Sequence, residues 1–196
     1  PTVAQLIRAE SQDYWTVSAM LEGKNVNLKV IEKENLSLLT EWSNNPEFLG
    51  EFIWFPQQSR TEWEKRYDNR TPDTKWFFIE KKDGTKIGTM FHFPRESALE
   101  IGYILIPSER GKGYGTEAVK IAVDYLFLSK EIVRIQAITD VHNFASQKIL
   151  KKAGFKKEGT IRKSAYIKGE WKDGCLYSIL REEWKEPKIL TRTEKK

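Results

Sequence analysis

An apolar run from Leu99 ends in Ile104, Leu105, Ile106 and Pro107, then passes into Ser108, Glu109, Arg110, Gly111, Lys112, Gly113, Tyr114 and Gly115. Three glycines at alternate positions let a backbone approach an anion closely, and Arg110 and Lys112 add positive charge. A periodic apolar segment, Ala118, Val119, Ala122 and Leu126, follows at once, so the turn is expected to open a helix. Free N–H groups at that helix start, the positive end of its dipole and the two cations together predict a pyrophosphate cradle. Two other phosphate loops do not fit. The loop of nucleotide hydrolases needs Lys and then Ser or Thr after its last glycine, whereas Gly115 is followed by Thr116 and Glu117. A dinucleotide fingerprint belongs in the first strand–helix unit of a repeated pattern, and here the turn lies past the midpoint with no second copy.

Little else in the chain offers chemistry of its own. Cys175 is the only cysteine, which rules out an internal disulfide and makes a reducing cytoplasm the simplest compartment. Its bland reading, a small buried residue, outweighs a nucleophilic one. The two histidines, His92 and His142, have no second ligand at a suitable spacing, so no metal is expected. The 196 residues fit one domain, and no apolar run approaches the roughly 18 residues of a membrane span. No basic-then-apolar signal segment begins the sequence. The net charge of +5 is uneven: residues 1–109 carry 17 acidic and 13 basic side chains, and the rest is basic. Because the later lysines alternate with acids and form no arginine–aromatic cluster, nucleic acid is disfavoured as a partner.

The elements that must position the turn read as follows. Residues 1–23 form an N-terminal helical appendage, with Val3, Leu6, Ile7, Tyr14, Val17 and Leu21 near one stripe. Val26 to Ile31 alternates as a strand, and Asn35 caps a helix that Asn44, Asn45 and Pro46 end. Phe48, Phe52, Trp54 and Phe55 lie in an aromatic loop expected to pack as core or lid. Ser59 and Glu62 make a capping box for a short helix. Trp76 to Glu80 and Lys86 to Phe93 form a hairpin around Asp83 and Gly84, and Leu99 to Ile106 follows as the next strand. An antiparallel meander therefore feeds the glycine turn. Val133 to Thr139 is a strand, and Asn143 caps a helix that stops at Gly154. Ala165 to Trp171 and Leu176 to Trp184 are expected to be strands joined around Lys172, Asp173 and Gly174, with residues 187–196 a frayed tail. The architecture is mixed α/β, a mostly antiparallel sheet flanked by helices.

With its basic glycine turn after the fourth strand and its capped helix ending in Gly-Phe after the fifth, the chain resembles the GNAT superfamily of acetyl-CoA-dependent N-acetyltransferases. Glu100 to Tyr103, Arg110 to Glu117, Asn143 with Ser146, and Gly154 with Phe155 carry the resemblance. Through Glu100 to Tyr103, Gly169, Trp171, Asp173, Tyr177, Glu183 and Trp184 it is most similar to the ribosomal-protein N-terminal acetyltransferases. The resemblance covers residues 24–184, implying a GNAT-like acyl-CoA N-acyltransferase domain over 24–186.

The resemblance implies acetyl-CoA as cosubstrate. Backbone groups of Ile104 and Ile106 would pair with the pantetheine amides, and amides from Arg110, Gly111, Lys112, Gly113, Tyr114, Gly115 and Thr116 would bind the pyrophosphate. Asn143 would bind the pantetheine arm as well as capping its helix. Lys148 and Lys151 are poorer candidates, as exposed helix lysines are usually only solvated. Many relatives have a tyrosine seven residues after the asparagine to protonate the leaving thiolate, but Leu150 stands there. Ser146 is the implied replacement, with a bond to its own helix backbone as the alternative. Glu100 is the expected general base, or else an edge carboxylate in a salt bridge, and an amide near Leu105 the expected oxyanion donor.

An α-amine, with pKa about 8, is roughly 3 kcal/mol easier to free at neutral pH than a lysine of about 10.4. The expected reaction is direct acetyl transfer to a primary amine, foremost a protein or peptide N-terminus. A polyamine, aminoglycoside or amino acid is the alternative acceptor, and a non-catalytic acyl-CoA-binding module the alternative class. A homodimer is compatible with the sequence, and no membrane partner is expected.

Overall fold

A computed structural model describes residues 20–54, 57–185 and 187. Eight strands form one sheet in the order β1-β2-β3-β4-β5-β6-β8-β7. They are β1 (Met20–Glu22), β2 (Val26–Val30), β3 (Lys75–Lys81), β4 (Lys86–Arg95), β5 (Ala98–Leu105), β6 (Arg134–Asp140), β7 (Lys156–Ile167) and β8 (Glu170–Leu180). Every pairing is antiparallel except β5 with β6. Among the described residues five α-helices accompany them: α1 (Leu36–Asn44), α2 (Pro46–Leu49), α3 (Arg60–Asp68), α4 (Tyr114–Ser129) and α5 (Phe144–Lys152). The expected fold class is the one observed.

Strand alternation sorts the side chains onto two faces. On one face Phe77, Ile79, Met90, Leu99, Ile101 and Leu105 pack against Ala118, Val119, Ala122 and Leu126 of α4 in the main core. Val119 and Leu126 are fully buried, and each such side chain contributes about 2 kcal/mol of transfer free energy. On the other face Ile31, Leu36, Leu39 and Phe78 form a smaller cluster under α1 and α3. Helices cover that face over β2 and β3. The C-terminal end of α4 is held by Arg181, which donates to the carbonyls of Phe127 at 2.9 Å and Ile132 at 2.7 Å.

Several sequence expectations are corrected. Met20–Glu22 is strand, so the end of the presumed N-terminal helix is extended; residues 1–19 and most of the 187–196 tail lie outside the described residues. With β1 added, the glycine turn follows the fifth strand instead of the fourth. Asn35 stands at the N-cap of α1 as expected, but its side chain does not cap the helix: Oδ1 turns back to accept from the Glu32 N–H at 3.3 Å, closing a 3-10 turn over Lys33–Asn35. Asn45 and Pro46 end α1 but also begin α2, because Asn45 Oδ1 accepts from the Glu47 N–H at 2.8 Å. This one-turn helix buries Phe48 and Leu49, so Phe48 is core and stacks on Trp42 at 4.8 Å. Phe55 lies outside the described residues.

The last hairpin turns at Lys168 and Gly169, with φ of 50° and 85°, and not around Lys172 to Gly174. Two consecutive positive φ values give a turn whose twist matches that of the flanking strands. Asp173 lies inside β8, where its carboxylate accepts from the Lys163 N–H at 2.8 Å and holds a bulge in β7.

Candidate active site

The glycine turn and α4 build an anion cradle. Gly111 and Gly113 have φ of 77° and 91°, and a Cβ built on either would meet no protein atom within 4 Å. Gly113 is the N-cap of α4 and has no side chain to offer the helix start. The first helical hydrogen bond, Glu117 N–H to the Gly113 carbonyl at 3.1 Å, leaves the N–H groups of Tyr114, Gly115 and Thr116 without helical acceptors. Gly115 permits a close approach: a Cβ there would lie 2.9 Å from Ile149 Cδ1 of α5 and 3.4 Å from Leu105 Cδ1. Glu117, passed over as a site residue in the sequence, ties the cradle to the β1–β2 turn by accepting from the Asn25 N–H at 2.6 Å and Asn25 Nδ2 at 2.8 Å.

Arg110 departs from expectation. Its N–H donates to the Pro107 carbonyl at 3.2 Å, its Nε to the Leu105 carbonyl at 2.9 Å and its Nη2 to the Phe48 carbonyl at 3.0 Å. The arginine is a brace between α2 and the end of β5, and the cradle runs from Gly111 to Thr116. Lys112 pairs with Glu109 at 3.1 Å on the exposed rim.

Beside the cradle the sheet opens. β5 pairs with β4 along its whole length, but with β6 only at Leu99↔Ile135 and Glu100↔Gln136. Beyond those two pairs the strands part and leave a cleft. The expectation that Ile104 and Ile106 present backbone groups to it is overturned. Ile106 N–H donates to the Ile87 carbonyl at 3.0 Å, and by the antiparallel alternation Ile104 likewise bonds to Thr89. Tyr103 turns both of its backbone groups to the cleft and Leu105 its N–H, the Leu105 carbonyl being taken by Arg110. The β4–β5 register decides this, and no local sequence signal carries it.

On the α4 side of the sheet, α5 closes the cleft. Asn143 is its N-cap, with Oδ1 accepting from the Ser146 N–H at 3.0 Å. Ser146 Oγ lies 2.9 Å from the hydroxyl of Tyr103, which is also 3.2 Å from the Ser146 carbonyl. Burial pushes the Tyr103 phenol well above its ordinary pKa, and the Ser146 contact only partly offsets this. Leu150 is fully buried in the main core and carries no proton to give. Tyr177 Oη donates to Gln147 Oε1 at 3.1 Å and anchors the same helix to β8.

Glu100 sits on the opposite face from Tyr103 and Ser146. Its Oε2 accepts from Gln136 Nε2 at 3.0 Å and stands 3.9 Å from Arg95 Nε. Phe91 and Phe93, stacked at 6.2 Å, lie on this face with Ile104, Gln136 and Ile138, all half-buried. The Phe91 ring covers Gly102, where a Cβ would fall 2.2 Å from Cζ. One side of this trough is α2, braced by Arg110. On the other, β7 and β8 remain paired beyond the last β6 pair, Asp140↔Gly174, so the hairpin projects as an arm; by alternation Lys172 shares the face of Glu100, whereas Tyr166 and Trp171, in contact at 5.5 Å, share the face of Cys175 and Tyr177. The cleft thus joins an anion cradle and Ser146 on one face to a carboxylate and an apolar floor on the other.

Residues 25–156 match the acetyltransferase (GNAT) domain family. The chain belongs to the GNAT acetyltransferases. It is 35% identical over 181 residues to the probable N-acetyltransferase YjcK of Bacillus subtilis, covering 82% of this chain and 97% of that one. It is 26% identical to the spermidine N(1)-acetyltransferase of Escherichia coli, over 84% of this chain and 91% of the other. Among solved structures, a ribosomal L7/L12 alpha-N-protein acetyltransferase, RimL, in complex with coenzyme A superimposes with a TM-score of 0.73 at 20% identity, covering 82% and 97%. As a GNAT N-acetyltransferase the chain uses acetyl-CoA, and the cradle from Gly111 to Thr116 suits its pyrophosphate. Among the described residues no group of three His, Cys, Asp or Glu could hold a metal, and no helix is long and apolar enough to cross a membrane.

Proposed function

We propose that this GNAT enzyme acetylates the α-amine of a peptide or protein N-terminus. The observation that carries this reading is the charge balance of the trough. Glu100 faces Arg95, and Glu158, the next carboxylate along, is bound by Arg134 Nη2 at 2.9 Å and by Ser178. A polyamine brings several ammonium groups and needs a surplus of carboxylates; a peptide brings one amine followed by apolar and amide surface, which suits the phenylalanine floor.

Bound acetyl-CoA supplies an acetyl thioester. Tyr103 offers strand-like backbone groups to the pantetheine arm, and Asn143 flanks it. The Leu105 N–H, turned into the cleft, is the donor for the carbonyl oxygen as charge develops there. Glu100 takes the proton of the attacking amine, directly or through water. Ser146 donates a hydrogen bond to the departing sulfur.

An acceptor screen at saturating acetyl-CoA tests the reading, comparing short peptides that have free N-termini with spermidine, an aminoglycoside and free amino acids. A kcat/KM at least tenfold higher for peptides is expected. A tenfold preference for spermidine overturns the peptide assignment in favour of a polyamine acceptor.

A further inference from the structure

We infer that Tyr103 is a positioning residue which turns the Ser146 hydroxyl toward the leaving sulfur. The inference rests on the acetyltransferase reading of the cleft. The tyrosine usual for this task in the resemblance described above is replaced by Leu150, buried and without a proton, yet a phenol arrives at the same helix from β5. Its geometry is unusual in offering one proton to two acceptors. Tyr103 Oη lies 3.2 Å from the Ser146 carbonyl, which can only accept, and 2.9 Å from Ser146 Oγ, which can donate or accept.

Two arrangements of the hydroxyl protons follow without moving a heavy atom. When Tyr103 donates to the carbonyl, the serine proton points at the phenol oxygen. When Tyr103 donates to Oγ, the serine proton is released toward the cleft. In that second state the chain of donors runs Tyr103 Oη–H to Ser146 Oγ–H to sulfur, and each bond polarises the next. The Ser146 backbone is fixed by the Asn143 cap, so Oγ stays in place and only its proton turns. Burial keeps the phenol protonated, so Tyr103 donates and does not ionise.

The step balances with neither side chain losing its proton. The amine nitrogen bonds to the acetyl carbon, the C–S bond breaks with its electron pair on sulfur, and the amine proton leaves by way of Glu100. Sulfur departs as a thiolate, held by the serine hydroxyl, and takes its proton from water.

The test uses coenzyme A labelled with carbon-13 at the methylene attached to sulfur, titrated by NMR while bound to the full chain. The wild type should hold the thiol pKa about one unit below the free thiol, near 8.5 in an ordinary aliphatic thiol. Ser146→Ala and Tyr103→Phe should each return most of that shift, and the double variant should be no different from Ser146→Ala alone. Calorimetric affinity for coenzyme A and the Tm should stay close to wild type, while kcat for acetyl transfer falls about tenfold in Tyr103→Phe with KM for acetyl-CoA unchanged. A wild-type thiol pKa in Tyr103→Phe, or a Tyr103→Phe effect that persists in full on the Ser146→Ala background, overturns the inference. If the wild-type chain binds no coenzyme A, the reading of the cleft fails and the inference with it; normal binding with an unshifted thiol sinks the inference alone.

Discussion

Glu100 engages both of its neighbours through a single carboxylate oxygen, Oε2, and is held there by the side-chain amide of Gln136. Glu100→Gln keeps an acceptor for Gln136 and removes the base. Turnover with a peptide acceptor should fall about a hundredfold near pH 7 and much less near pH 9.5, where an α-amine of pKa about 8 is already neutral. A pH-rate profile decides; a loss equal at every pH marks Glu100 as a positioning group instead. His92 offers a separate handle on stability. It is buried beside Phe77 and Tyr125, and neither ring nitrogen has a hydrogen-bond partner among the described residues. Desolvation first, then repulsion from Lys130, lowers its pKa to about 4 against an opposing pull from the backbone of Asp73. Below pH 6.5 the unfolded chain binds a proton that the native state refuses, so stability falls as pH drops toward 4, by up to about 1.4 kcal/mol per pH unit. His92→Phe should therefore gain on the wild type between pH 7.5 and pH 5 in urea unfolding. An unchanged difference across that range contradicts the neutral buried imidazole.

At the scale of elements, the α4 N-terminus is the part on which donor binding depends most directly. Gly113→Asp introduces a carboxylate at a left-handed position facing the cradle, and affinity for coenzyme A by calorimetry should fall at least tenfold. Affinity within twofold of wild type would remove the cradle assignment. This element was readable in the sequence because its signals are local: alternate glycines, then an apolar period of helical spacing. The Asn143 cap was readable for the same reason. The last hairpin was misplaced because Asp173-Gly174 is a stronger turn signal than Lys168-Gly169, and only the long β7–β8 register, with its bulge at Lys163, overrules it. Asn45-Pro46 ended one helix and started another, a double role that composition does not separate. The cleft-facing backbone of Tyr103 and Leu105, the Arg110 brace and the Tyr103–Ser146 contact all join segments far apart in the chain, so no window of sequence contains them.

For the molecule as a whole, donor and acceptor are assigned to different builds. The donor cradle comes from one continuous stretch, whereas the trough is assembled from β4, β5, β6, α2 and the β7–β8 arm. Changes in the arm should therefore alter acceptor use alone. Lys172→Ala, at an arm position that shares the face of Glu100, should raise KM for a hexapeptide several-fold and leave coenzyme A affinity within twofold; steady-state kinetics beside calorimetry reads both. Equal peptide KM values would exclude the arm from acceptor binding. The two β5–β6 pairs have a mechanical consequence. Leu99↔Ile135 and Glu100↔Gln136 would be the fulcrum of any swing between the two leaves of the sheet, and displacement in such a lever grows with distance from the fulcrum. Leu105, five residues farther along β5 at about 3.4 Å each, rides near the end of a roughly 17 Å lever arm. Glu100 rides at its origin, so any such gape would leave the carboxylate registered on its partner glutamine.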